Sequence, residues 1–395
     1  DAKEITEEKA KSDKGDKPGK KSRTRQVKRT QSVQFSHPWL ACTLRGHSGQ
    51  VLGLDFSSNG KYLITTADGW SIRGNIELDH ATKVKFSPDS KKKDTGQIGA
   101  ITAALDFPKK HTADIICIGV ASNGRFIMSC SSDTTIIIWS IKGEVLATID
   151  TRQMNNSYGA VSPCGRFVAS SGFTPDVKVW EVCFDKSGNF TSYKRAFELK
   201  GHSAGVYSFS FNNDSSRYVP SSGITKPLRN FTRMASVSKD MTWKYWNTDI
   251  RYELEQDPYL LKTGSISFDV PCLISLSPDG RSVAVAGGNS ICVYSAITGK
   301  EEENIEHIYS GEITDLSFDI TSKYLVCTGD KHACVFNNIT GYKATIADLE
   351  EKVKDANTSA QKERVKQQIK DAQYVLFYVC NIKRKTRMGT CHYII

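Results

Sequence analysis

The chain has 395 residues, 39% apolar and 24% charged, with a formal net charge of +10. That is too long for one small domain and apolar enough for a large core, but no run approaches the ~20 apolar residues of a membrane-spanning helix. The positive charge gathers at the ends, +5 over residues 1–34 and +4 over 376–395, so the near-neutral middle lacks the basic stripe of a specific nucleic-acid binder.

Eleven cysteines are scattered without a Cys-x-x-Cys pair, an odd number that suits free thiols in a reducing compartment. No His or Cys pair has zinc-ligand spacing, so no metal and no cofactor is predicted. Residues 1–36 form a basic tail with almost no apolar content, which predicts disorder. The tail suits either a tether on an anionic membrane surface or a solvated linker. The chain begins at Asp1 rather than Met, so membrane association through a segment outside it is also compatible.

From residue 44 onward a unit of short alternating strands and polar turns recurs. Residues 44–73 carry Gly46-His47, a strand to Phe56, a Ser-Asn-Gly turn and a second strand. The fragment at 79–90 (DHATKVKFSPDS) begins a copy and then runs into KKKDTGQIGAITA. Further copies span 111–139, 160–180, 197–247, 272–294 and 312–336. Counting the fragment, these are seven copies at a period of roughly 40 residues.

Two copies share a set of polar residues ending in a Trp six residues after an Asp: His111, Ser129, Asp133 and Trp139, and His202, Ser236, Asp240 and Trp246. A His, a hydroxyl, a carboxylate and an indole N–H can satisfy one another in a buried relay that pins a turn to the next strand. Recurrence in two copies argues against a catalytic Ser-His-Asp arrangement, which an enzyme needs once. No catalytic residue is predicted.

These residues resemble the WD-repeat β-propeller family. The resemblance implies an all-β fold: a seven-bladed WD-repeat β-propeller over 37–343, its second blade incomplete at 79–90. Three departures from the family pattern stand out. The expected turn Asp of the first copy is Gly69, with Arg73 running directly into GNIELDH. The second copy lacks its inner strands, and residues 218–232 (YVPSSGITKPLRNFT) interrupt the fifth.

After Gly341 the period lengthens: Ile346, Leu349, Val353, Ala356 and Ala360, then Val365, Ile369, Ala372 and Leu376 predict one amphipathic helix over 344–376. Such a stripe suits a coiled-coil contact or packing on the propeller. Residues 377–395 read as a basic irregular tail.

Long irregular runs such as GFTPDVKVWEVCF and QDPYLLKTG narrow the resemblance to one branch of the family. That branch implies a non-catalytic scaffold on the cytosolic face of the endoplasmic reticulum membrane. Its implied partners are proteins: the phosphorylated stress kinase PERK and translation-related factors of the unfolded protein response. The chain by itself reads as soluble. A substrate adaptor of another complex, such as a ubiquitin ligase, is the alternative, and the sequence does not locate the partner-binding face.

Overall fold

The computed structural model describes residues 35–68, 83–88, 106–213, 232–355 and 358–381. The expectations resting on Gly69, Arg73, residues 218–231 of the insert and residues 1–34 of the amino-terminal tail fall outside those residues.

Strands dominate. In chain order they are β1 (Leu40–Arg45), β2 (Val51–Phe56) and β3 (Leu63–Ala67), then β4 (Ile115–Val120), β5 (Ile127–Ser131), β6 (Thr135–Trp139) and β7 (Val145–Asp150). Next come β8 (Asn156–Val161), β9 (Phe167–Gly172), β10 (Asp176–Phe184) and β11 (Phe190–Lys200). The following unit is β12 (Val206–Phe211), β13 (Arg233–Ser238), β14 (Thr242–Asn247) and β15 (Tyr259–Ser265). The last are β16 (Cys272–Leu276), β17 (Ser282–Gly287), β18 (Ser290–Ser295) and β19 (Glu301–Ile305), then β20 (Asp315–Phe318), β21 (Tyr324–Gly329) and β22 (His332–Asn337).

Among the described residues these form five four-stranded antiparallel sheets and one two-stranded sheet, β2-β3. Four of the large sheets are meanders of consecutive strands, β4–β7, β8–β11, β12–β15 and β16–β19. The fifth combines both ends of the repeat region in the order β1-β22-β21-β20, with Cys42 opposite Val335 and Arg45 opposite His332. The first strand of the chain thus completes the last sheet.

The four meanders from β4 to β19 pack face to face on one another, because a single sheet cannot bury both of its faces. One core, including Met128, Ile136, Ile138, Trp180 and Val182, lies between the β4–β7 and β8–β11 sheets. A second joins β8–β11 to β12–β15 through Phe167, Val179, Phe209 and Trp246, and a third joins β12–β15 to β16–β19 through Trp243, Tyr245, Ile274 and Val285. Strands in the middle of a sheet are therefore buried on both sides; in β9 and β17 every residue is buried.

Hydroxyl and carboxylate groups stitch neighbouring innermost strands together. Ser208 Oγ accepts from Ile274 N at 2.9 Å, Ser275 Oγ accepts from Phe318 N at 3.2 Å, and Asp315 accepts from Leu54 N at 3.1 Å. Residues 83–88 form no strand but occupy the place of one. Ser58 Oγ donates to the Pro88 carbonyl at 2.8 Å, as Ser122 Oγ donates to the Pro163 carbonyl at 2.7 Å in the β4–β7 to β8–β11 junction. Asp55 accepts from Phe86 N at 2.7 Å and pairs with Lys85 Nζ at 2.8 Å. The fragment of the second copy is thus the inner element of a blade, flanking β2.

The helical region differs from the single helix read over 344–376. It comprises α1 (Ile339–Asp355) and α2 (Ser359–Asn381), so the stretch read as irregular from 377 is helical as far as Asn381. Asn338 opens α1, its Oδ1 accepting from Gly341 N at 3.0 Å, and Thr358 opens α2, its Oγ1 accepting from Gln361 N at 3.2 Å. The two helices pack on each other, and α1 also touches β18. Arg281 holds α1 in place through an ion pair to Asp348 and a 3.1 Å hydrogen bond to Thr345 Oγ1, while Lys343 pairs with Glu302 at 2.8 Å.

Candidate functional site

The residues singled out from the sequence meet in two buried clusters. In the β12–β15 sheet, Trp246 stands opposite Met234, which sets its indole over Ser236 on the same face. Trp246 Nε1–H donates to Ser236 Oγ at 2.9 Å. The hydroxyl proton is then directed at His202 Nε2, 2.8 Å away, and His202 Nδ1–H donates to Asp240 at 2.9 Å. This chain of donors assigns the imidazole as the neutral Nδ1–H tautomer. Gly201 places the histidine: its φ is 151°, and a Cβ there would stand 3.1 Å from the Trp246 ring.

Charge follows the same logic. Burial pushes the His202 imidazole below its ordinary value, against the opposing pull of Asp240. Burial tends to raise the Asp240 carboxyl, but hydrogen bonds from Thr242, the Ser203 backbone N–H and His202 outweigh it and bring it down to about 2. The β4–β7 sheet repeats the arrangement. His111 Nε2 lies 2.7 Å from Ser129 Oγ, His111 Nδ1 lies 3.1 Å from Asp133, and Trp139 Nε1 donates to Ser129 at 2.8 Å. Asp133 is likewise held below the usual carboxylate range: hydrogen bonds from Thr135 and Thr112 overcome its desolvation.

Neither serine resembles a nucleophile. Ser129 and Ser236 are buried, and each oxygen is already engaged by an indole and an imidazole. Partial versions occur elsewhere. In β3, Thr65 Oγ1 lies 2.7 Å from His47 Nε2. In the β8–β11 sheet, Gln153 stands where a histidine would, its amide donating to the Ser170 carbonyl at 3.0 Å. The buried Ser170 and Thr174 hydroxyls and Gln153 Oε1 find no hydrogen-bond partner there. Sequence reading missed Gln153. The signal available was Trp180, spaced from Ser170 as Trp139 is from Ser129.

That same sheet carries a charged knot. Glu181 is buried among Arg166, Lys194 at 3.0 Å and the Tyr252 hydroxyl, which donates to it at 2.8 Å. Desolvation opposes the charge, yet the bonds from Tyr252, Lys194 and Arg166 keep the carboxyl below its ordinary value.

A cavity of about 300 Å³ lies beside residues 83–88, lined by Asp55, Lys83, Lys85, Cys117, Tyr158 and Asp315 among others. Its charges are compensated: Lys85 pairs with Asp55, and Lys83 lies 3.7 Å from Asp315. Burial pushes the Cys117 thiol and the Tyr158 hydroxyl up, away from the ionised forms that nucleophilic chemistry needs. Among the described residues no three His, Cys, Asp or Glu side chains gather as a metal site. No described helix is long and apolar enough to cross a membrane.

The profile of the WD domain, G-beta repeat, matches residues 39–73, 101–140, 193–247 and 303–337. Human transducin beta-like protein 2 is 46% identical over 92% of this chain and 86% of its own length. The chain belongs to the WD-repeat family of transducin beta-like protein 2. The mouse protein of that name is 44% identical over the same shares of the two chains. A more distant likeness is to pre-mRNA-processing factor 19 of Oryza sativa subsp. japonica, 21% identical over 78% of this chain and 51% of that one. Both complete relays fall inside segments matched by the WD profile, at 101–140 and 193–247. As a WD-repeat protein, the chain is built as a scaffold for protein partners.

Proposed function

We propose that this WD-repeat protein is a non-catalytic scaffold on the cytosolic face of the endoplasmic reticulum membrane. There it binds the phosphorylated stress kinase PERK and translation-related factors and supports signalling in the unfolded protein response. The observation that carries this reading is the 46% identity to human transducin beta-like protein 2 over 92% of the chain. The fate of the polar residues supports the non-catalytic part. In both complete relays the His, Ser and Asp side chains are used up in holding a Trp-bearing strand to its turn. In this reading His111, Ser129, Asp133, Trp139, His202, Ser236, Asp240 and Trp246 are fold-holding groups, the propeller over 37–343 is the binding module, and the basic amino-terminal tail or a segment outside this chain reaches the membrane.

Proximity labelling in cells under endoplasmic reticulum stress tests the reading. Enrichment of the kinase and of reticulum-membrane neighbours, lost when the kinase is kept unphosphorylated, is the expected result. Neighbours drawn instead from a ubiquitin ligase would replace this reading with that of a substrate adaptor.

A further inference from the structure

Strand β15 is the outermost of its sheet: it pairs with β14, and no described strand pairs with its other edge. Its first five residues are exposed, and three of them are apolar in succession, Tyr259 at 53%, Leu260 at 46% and Leu261 at 41%. The outermost strands of the two sheets packed beside it carry charge along their edges, β11 with Lys194 and Arg195 and β19 with Glu301, Glu302 and Glu303. Such charges keep foreign strands off an edge, and β15 has only Lys262. Its bulge against β14 does not set it apart, because β7, β11 and β19 have one at the corresponding place.

An open row of backbone N–H and C=O groups is matched by another strand. The stretch around β15 is complementary to itself. Asp257 and Lys262 bracket the apolar run, both exposed and neither in an ion pair among the described residues. An antiparallel pairing centred on Leu260 lays Tyr259, Leu260 and Leu261 on the same run of a second copy. It also brings Lys262 of each chain toward Asp257 of the other, giving two opposite-charge contacts related by a two-fold axis, and it holds the two lysines apart. The charges thus favour a second copy of this chain as the occupant of the edge.

We propose that two copies of the chain associate through β15, edge to edge and antiparallel, with Leu260 on the two-fold axis. The seven residues of the strand fall well short of the roughly 20–30 that a stable interface takes from each side, so the dimer is weak and forms as concentration rises. The contact is separate from kinase binding, and it makes the scaffold two-headed, able to hold two partner molecules at once.

Sedimentation velocity of the full chain over a concentration series tests it, and a monomer–dimer equilibrium is expected. Leu260→Lys sets two ammonium groups opposite each other in place of two leucines and is expected to raise the dissociation constant by about tenfold or more. Lys262→Glu faces Asp257 of the second copy with a like charge and is expected to weaken the dimer severalfold. Adding Asp257→Lys to Lys262→Glu exchanges the two charges and is expected to restore it. Urea midpoints equal to the parent's show that each variant is folded. A chain that stays monomeric at every concentration overturns the proposal, as does a dimer that Leu260→Lys leaves intact or a charge exchange that fails to restore what Lys262→Glu weakened. A monomer whose β15 amides gain protection from hydrogen exchange only when the phosphorylated kinase is added also overturns it, assigning the edge to a strand of that partner.

Discussion

Ser236→Ala separates a fold-holding hydroxyl from an idle one. Ser236 is fully buried and serves two partners, the Trp246 indole N–H at 2.9 Å and His202 Nε2 at 2.8 Å. Removing its oxygen leaves both without a partner in a place water does not reach. Each orphaned group costs about 1–3 kcal/mol, so the substitution is expected to destabilise the protein by about 2–6 kcal/mol. Ser170 occupies the corresponding position in the β8–β11 sheet, but its hydroxyl has no partner to lose. Ser170→Ala is therefore expected to be neutral or mildly stabilising, because it removes a buried polar atom without compensation. Urea unfolding followed by far-UV circular dichroism, with the slope checked for constancy, reads both. In a Trp246→Phe background the indole donor is already gone, so Ser236→Ala is expected to cost about 1–2 kcal/mol less. The relay reasoning fails if Ser236→Ala lies within about 0.5 kcal/mol of the parent, the range of a surface substitution, or if it costs no more than Ser170→Ala.

Acid should weaken the same sheet in two steps. The folded-state pKa of His202 is depressed, so its neutral form favours folding, and that contribution is lost as pH falls below the ordinary histidine value of about 6.5. Asp240 is also depressed, to about 2; its contribution is present above its unfolded value of 3.8 and is lost between there and about 2. Thermal melts of Asp240→Asn across pH 2–7 should show a smaller lower step than the parent, with Asp133 and Glu181 keeping their own contributions, and an unchanged profile would contradict the assignment. Tyr309→Phe removes a hydroxyl that donates to the Cys327 carbonyl at 2.8 Å and accepts from Cys334 N at 3.1 Å, so a loss of about 1–3 kcal/mol is expected in urea titrations. Arg281→Ala cuts the tie between the β17 edge and α1, and hydrogen exchange should then quicken in α1 and α2 while β8–β15 keep their protection.

The repeat was legible because its inner strands alternate and its turns are punctuated, as with the Asn123-Gly124 turn leading into β5. The relay residues stood out for a similar reason, since two copies spell the same four side chains. Other elements carried no such signal. The outermost strand β15 (YLLKTGS) is exposed along nearly all of its length and shows no apolar–polar alternation to read. β1 pairs with a strand at the far end of the repeats, and no local pattern announces so distant a partner. Gln153 was hidden because an amide in a loop has no spacing of its own; only the Trp180–Ser170 relation points to it. The division of the carboxy-terminal helix was written in Thr358, a capping residue with Gln361 three positions on, but the apolar stripe running past it masked the stop.

Strand β1 has a consequence for biosynthesis. Its partner β22 ends at Asn337, so the ribosome must add roughly 300 residues, at about 5–20 per second, before the pair can form. Throughout those tens of seconds the nascent chain carries a strand with both edges unsatisfied, beside sheets that are already maturing. A second nascent chain on the same message presents the identical strand to the identical acceptor. Spacing between ribosomes, rather than equilibrium stability, then decides whether the last sheet takes its own first strand or borrows one from its neighbour.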